Sequence, residues 1–145
     1  MIRKLEERDL PKLHERLSSL SQGDKEFFHP HPFTLTALRD LLGLTYDHYF
    51  VKEIDHTLIG YSMLRTFGKY EIPTFGGVIW EEYRGKGYGS VLLEDTLTEA
   101  KKIGFNLVKL KVYEQNMRAF NLYKKHGFTI LGKEGDEIWM EKHIS

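Results

Sequence analysis

Three glycines at alternate positions, Gly85, Gly87 and Gly89, lie between Arg84 and Ser90, with Lys86 and Tyr88 interleaved. They follow a short apolar run, Val78-Ile79-Trp80. They precede a segment whose apolar positions, Tyr88, Leu92, Leu93, Leu97, Ala100 and Ile103, recur at helical spacing. A strand therefore turns through glycines into a helix. The first amides of a helix lack acceptors within it, and the macrodipole adds partial positive charge there. Glycines let an anion rest directly on those amides, so the chemistry expected of this turn is phosphate binding. A tight connection alone would also use glycine for positive φ, but three glycines flanked by two cations exceed that need. The spacing fits neither the dinucleotide fingerprint G-x-G-x-x-G nor a P-loop ending in Gly-Lys-Ser/Thr.

A second stretch able to do chemistry is Phe27-Phe28-His29-Pro30-His31-Pro32-Phe33. Its alternating prolines hold the backbone extended and prevent helix from Lys25 onward. Either the phenylalanines simply pack this loop, or His29 and His31 face a ligand. No metal site is expected, because His48, His56, His126 and His143 show no ligating spacing. The absence of cysteine excludes disulfides, thiolate metal ligands and a cysteine nucleophile.

The elements that must position these groups follow from periodicity. Ile2 to Glu6 reads as a strand, and Leu10, Leu13, Leu17 and Leu20 as a helix with Asp9 as N-cap and Pro11 in its first turn. Thr34 caps a second helix ending at Gly43. His48–Ile54 and Leu58–Phe67 form a hairpin through Asp55-His56-Thr57, and Glu71–Trp80 is a third strand, weakened by Pro73, Gly76 and Gly77. The glycine-started helix ends at Gly104, and Leu107–Tyr113 then alternates as a strand parallel to Glu71–Trp80. Asn116 caps a last helix, stopped by Gly127, and strands Phe128–Leu131 and Glu137–His143 close the chain. The class is α/β, and residues 1–145 form one domain.

Formal net charge is zero, with 21 residues of each sign, so neither nucleic acid nor an anionic membrane surface is an expected partner. Lys109 and Lys111 make the polar face of a strand. The N-terminus lacks the apolar core of a signal peptide and no run is long enough to span a bilayer, which points to the cytoplasm. If Glu137–His143 lies at a sheet edge, it could pair across a homodimer.

Two segments together resemble the GCN5-related N-acetyltransferase (GNAT) family. Arg84, Gly87 and Gly89 match its pyrophosphate motif Gln/Arg-x-x-Gly-x-Gly/Ala. Asn116, Ala119, Tyr123, Gly127 and Phe128 match the downstream Asn-x-x-Ala-x-x-x-Tyr-x-x-x-Gly-Phe. The element order β-α-α-β-β-β-α-β-α-β-β, about seven strands in a mixed sheet with four helices, follows the same family. The resemblance implies acetyl-CoA as donor and an amine as acceptor. It implies that backbone amides from Arg84 through Gly85, Lys86, Gly87, Tyr88 and Gly89 to Ser90 hold the pyrophosphate. Val78, Ile79 and Trp80 would pair with the pantetheine arm, Asn116 and Ala119 would border it, and Tyr123 would approach the sulfur. Glu81 departs from the family, many members of which have proline there.

The implied reaction is attack by a primary amine on the thioester, with a backbone N–H near Val78 meeting the carbonyl oxygen. A thiol has pKa about 8.5 and tyrosine about 10, so Tyr123 is protonated at neutral pH and can act as the acid. The base is open among Glu71, near the far end of its strand, and the loop histidines His29 and His31. Two alternatives stand beside acetyl transfer: a non-catalytic acyl-CoA sensor, and transfer of a longer acyl group. The acceptor's identity does not follow from the sequence.

Overall fold

A computed structural model describes residues 1–144. The first strand, β1, is Ile2–Lys4, and after a 3₁₀ turn at Glu7–Asp9 comes helix α1, Leu10–Ser18. Leu10, Leu13 and Leu17, one stripe at spacings of three and four, are buried. Asp9 stands at the N-cap without capping by its side chain. Its carboxylate instead takes the Arg3 guanidinium at 2.7 and 2.8 Å and the Glu6 amide at 2.8 Å, tying the helix to β1.

Between α1 and the proline loop there is a helix where an extended chain was expected. This α2, Gln22–Phe27, is capped by Ser21 Oγ, which accepts from the Asp24 amide at 3.1 Å. It stops at Phe28 in extended conformation, ahead of Pro30 and Pro32. The prolines end a helix here; they do not forbid one upstream, and the cap at Ser21 starts it. Among the described residues there are thus five α-helices, not four. Helix α3, Leu35–Leu41, begins as expected at Thr34, whose Oγ1 accepts from the Ala37 amide.

Strands β2 (His48–Ile54) and β3 (Thr57–Arg65) form the hairpin, turning at Asp55 and His56 with both φ angles positive, the two-residue geometry that matches strand twist. Strand β4 is Thr74–Ile79, α4 is Tyr88–Ile103, β5 is Leu107–Tyr113, α5 is Met117–Lys125, β6 is Thr129–Glu134 and β7 is Glu137–His143. The expected strand Glu71–Trp80 is shortened, starting only after Pro73, whereas Gly76 and Gly77 do not disrupt β4, whose register against β3 runs unbroken from Arg65↔Thr74 to Gly60↔Ile79.

Among the described residues seven strands form one sheet in the order β1-β2-β3-β4-β5-β7-β6, antiparallel except for β4 and β5. Helix α4 crosses one face, burying Leu92, Leu93, Leu97 and Ala100 against Phe75, Val108, Leu110 and Met140. Helices α1 and α3 cover the other face over β2, β3 and β4, with Tyr61, Met63 and Trp80 inside. Strand β7 is not an edge: it pairs with β5 on one side and β6 on the other. Its amides are satisfied within the sheet, so pairing with a second copy through Glu137–His143 is ruled out by register.

Candidate active site

The glycine turn is built in two steps. After β4, residues Glu81–Tyr83 make one 3₁₀ turn, with Tyr83 N–H donating to the Trp80 carbonyl and Arg84 N–H to Glu81 at 3.1 Å. Gly85 and Gly87 then take φ of 77° and 86°, where a side chain is strained. Gly89 differs from both: it lies inside α4 at ordinary φ, and a Cβ there would meet only Leu122 Cδ2 at 3.7 Å. The first intrahelical bond runs from Val91 N–H to the Gly87 carbonyl, which leaves the amides of Tyr88, Gly89 and Ser90 without helical acceptors. Sixteen residues of helix align their dipoles behind these amides. The Arg84 amide does not belong with them, because Glu81 already uses it.

The Arg84 side chain is also engaged. Nε donates to the Ile79 carbonyl at 2.8 Å, while Nη1 and Nη2 meet both oxygens of Asp24 on α2 at 3.0 and 3.1 Å. This bidentate fork, largely shielded from solvent, fixes α2 against the turn. Sequence reasoning missed Asp24. Its signal was Ser21-x-x-Asp24, a helix-start pattern that places an acidic residue in a first turn.

Below the turn the sheet opens. Strands β4 and β5 share a single register pair, Thr74↔Lys109, with Lys109 N–H on the Pro73 carbonyl at 3.0 Å. Beyond it the strands diverge, because β4 stays paired with β3 to its end and β5 with β7 to Tyr113↔Glu137. The space between them is a cleft of about 500 Å³, bordered by Gly76–Ile79, the glycine turn, Val112 and Tyr113, and one side of α5.

Strand alternation decides which backbone groups enter this cleft. Trp80 N–H bonds to Ile59 on β3, so the even positions Val78 and Gly76 also direct their amides to β3. The odd positions face β5: the carbonyls of Pro73 and Ile79 already meet Lys109 and Arg84 on that side. Gly77 and Ile79 thus present N–H groups, and Gly77 its carbonyl, to the cleft. The expectation of a Val78 amide there moves by one residue to either side. Trp80 is likewise outside, its indole buried on the far face with Nε1 donating to Leu58 at 2.9 Å. Side chains of Lys86 and Tyr88 do not border the cleft either; Lys86 lies 6.0 Å from the Tyr83 ring and Tyr88 packs into the core.

On the facing wall, Asn116 caps α5, and Ala119 and Tyr123 follow one and two turns later on the same side, as their spacing requires. The Tyr123 ring sits edge-on to Phe75 and Phe128, at 6.1 and 5.8 Å between centroids. Burial pushes its phenol up to about 12, so it is protonated throughout the neutral range. Arg118, Lys125 and Lys111 add positive charge around the opening.

The three base candidates are not brought together. His29 is exposed, with Nε2 2.9 Å from the Tyr113 hydroxyl, and Tyr113 borders the cleft. His31 lies away from the cleft, packed on Phe33, Tyr49 and Tyr61, with Nε2 2.9 Å from the Tyr61 hydroxyl. Burial lowers its pKa, and the charge of Arg65 acts in the same direction. Glu71 lies in the bend before β4, not on the strand, and borders a second hollow. That hollow, of about 1020 Å³, starts at Thr74 and Lys109 where the strands meet and shares Lys111 with the cleft. Lys69, Lys109, Lys111 and Lys133 line it against Glu71 and Glu134, with Tyr70 and Trp139.

Among known proteins, the chain is 29% identical over 96 residues to a spermine/spermidine N(1)-acetyltransferase of Bacillus subtilis, covering 59% of this chain and 63% of that protein. It is 36% identical over 93 residues to an N-alpha-acetyltransferase of Sulfurisphaera tokodaii, covering 55% of each. The matches thus span less than two thirds of those relatives' own lengths. The structure of spermidine N-acetyltransferase from Vibrio cholerae, in complex with CoA and spermine, superposes with a TM-score of 0.83 at 21% identity, over 99% of this chain and 95% of that one. Residues 10–128 match the sequence profile described as the Acetyltransferase (GNAT) family, a span that holds the glycine turn, both cleft walls and Tyr123. The chain belongs to the GNAT acetyltransferase family.

Proposed function

We propose that this protein transfers an acetyl group from acetyl-CoA to a primary amine by direct attack within a ternary complex. The observation that carries this is the cleft itself: an amide-lined turn at its mouth, a strand edge with unpaired N–H groups along its floor, and a partly buried, protonated Tyr123 at its wall. The pyrophosphate rests on the amides of Tyr88, Gly89 and Ser90, and the pantetheine arm pairs with Gly77 and Ile79 as an added strand. The amine nitrogen attacks the thioester carbon, and one of those N–H groups holds the oxygen as it gains charge. The C–S bond then breaks and the sulfur leaves as thiolate.

A phenol near 12 is a weaker acid than a thiol near 8.5. Tyr123 therefore stabilises the departing thiolate by donating a hydrogen bond, and the released thiolate takes its proton from water. The proton lost by nitrogen passes to the Tyr113 oxygen while the Tyr113 proton moves to His29 Nε2 and on to solvent. His31 has a structural part in this scheme, bracing the loop on Tyr61. Replacing His29 by Ala is expected to lower kcat about 10²-fold and alter its acidic limb. Replacing His31 by Ala is expected to lower Tm instead; equal loss of kcat at unchanged Tm in both would sink this division of roles.

The deciding experiment is calorimetric titration of acetyl-CoA into wild type and Tyr123→Phe, with thiol release followed against pools of amines. Both should bind, and the mutant should release thiol about 10²–10⁴-fold more slowly. Binding without release from any pool would favour an acyl-CoA sensor. The relatives are named for polyamines and for N-alpha amines. The second hollow sets no charge preference for the acceptor, since two of its four lysines, Lys111 and Lys133, are already paired with Glu137 and Glu114, leaving Lys69 and Lys109 against Glu71 and Glu134. Polyamines and N-alpha amines are therefore the first pools to follow for thiol release.

A further inference from the structure

Three polar side chains form a chain at the cleft's mouth that the transfer reaction above does not use. His126, the C-cap residue just past α5, meets Glu94 Oε1 through Nδ1 at 2.6 Å and Ser90 Oγ through Nε2 at 3.0 Å. Ser90 and Glu94 are four apart on α4, one above the other, so the imidazole reaches both from the end of a neighbouring helix. Ser90 borders the cleft, and its own amide is one of the three left open at the helix start.

An ionised carboxylate can only accept, so Glu94 fixes a hydrogen on Nδ1 and leaves Nε2 with two states. On a neutral ring, Nε2 is bare and accepts the Ser90 hydroxyl hydrogen. The serine then turns only lone pairs toward the mouth, which repel an anion. On the imidazolium, Nε2–H donates to Ser90 Oγ. The hydroxyl hydrogen is released and can point at a phosphate oxygen, and a positive charge stands one hydrogen bond behind it.

We propose that Glu94, His126 and Ser90 are a proton-linked clamp for the pyrophosphate of the donor: binding draws a proton onto His126, and affinity falls as pH rises through the titration of that ring. The clamp rests on the donor binding proposed above. The charges near His126 oppose one another. Glu94 on α4 favours the imidazolium. Lys124 and Lys125 on α5, and Lys142 of β7, whose chain lies beside neighbouring Gly127, disfavour it. A bound pyrophosphate adds negative charge and tips the balance. The same three groups in a hydrolase would activate the serine; here Ser90 sits among the helix-start amides, where the neighbour is an anion and not an acyl carbon.

The test is calorimetric titration with 3′-dephospho-CoA, whose pyrophosphate keeps its charge across the range, at about pH 6 and about pH 8 in buffers of different ionisation enthalpy. Wild type should bind about five- to tenfold more tightly at the lower pH and take up a fraction of a proton on binding. His126→Gln should bind with no uptake and a flat profile, and Glu94→Gln should move the profile to lower pH. Ser90→Ala should lose most of the gain at low pH. His143→Gln, distant and exposed, serves as the control and should match wild type. Uptake and slope unchanged in His126→Gln would overturn the clamp and leave donor binding standing. No binding by folded wild type at either pH would overturn donor binding and the clamp with it.

Discussion

Gly89 separates what the turn needs from what a ligand needs. Gly85 and Gly87 occupy the left-handed region, and alanine at Gly87 is expected to destabilise the fold by about 1–2 kcal/mol. Gly89 is helical, with room for a methyl group against Leu122. Gly89→Ala should therefore leave stability unchanged or raise it by up to about 1 kcal/mol. If an anion rests on the amides there, the same change should weaken acetyl-CoA binding about tenfold or more. Thermal melts and titrations on one preparation read both effects, and retained affinity would remove the phosphate from this spot. Tyr123 makes a comparable point by burial: its alternative role as a packed aromatic is also true, since Phe75 and Phe128 flank it, and desolvation there raises its phenol above the ordinary tyrosine value.

At the scale of elements, the turn is steadied by a helix only six residues long. Helix α2 contributes Asp24, which fills the Arg84 fork, and Phe27, which borders the cleft with Phe28 just past the helix end. A helix this short is not stable by itself and depends on such contacts. Asp24→Ala leaves the Arg84 guanidinium with the Ile79 carbonyl alone, a partly buried cation short of its partner. The expected loss is about 1–3 kcal/mol, read as a lower urea midpoint at unchanged m. A midpoint equal to wild type would mean that the fork adds nothing to the fold.

For the whole molecule, the cleft is a seam. Among the described residues, β4 and β5 meet at one register pair, while the other neighbouring strands in the sheet share several. Anything that lies in the seam and bonds both walls joins two halves of the sheet that are otherwise held by α4 and α5. Acetyl-CoA at about a hundredfold excess over its Kd should add about 2.7 kcal/mol and raise Tm by about 5–10 °C. A shift in Tm for Gly89→Ala much smaller than for wild type would tie that gain to the turn. An unchanged Tm in wild type would count against binding in the cleft.

The local signals were legible because each rests on one stretch of chain. Strand and helix periods, the caps at Thr34 and Asn116, the end of α4 at Gly104 and the glycine turn all follow from neighbours within about one or two helical turns. Motif spacing likewise put Asn116, Ala119 and Tyr123 on one wall. Helix α2 was hidden because the prolines after it dominated the signal over its cap. What the tertiary structure decided is everything that depends on partners distant in sequence. Strand parity, set by Trp80 on Ile59, chose Gly77 and Ile79 over Val78. Sheet order put β7 inside. Packing of the loop sent His31 to Tyr61 and left His29 beside Tyr113, and the ends of α4 and α5 brought His126 between Ser90 and Glu94. Chain connectivity fixes which side chains exist and how neighbours repeat; only closure of the sheet fixes which of them meet.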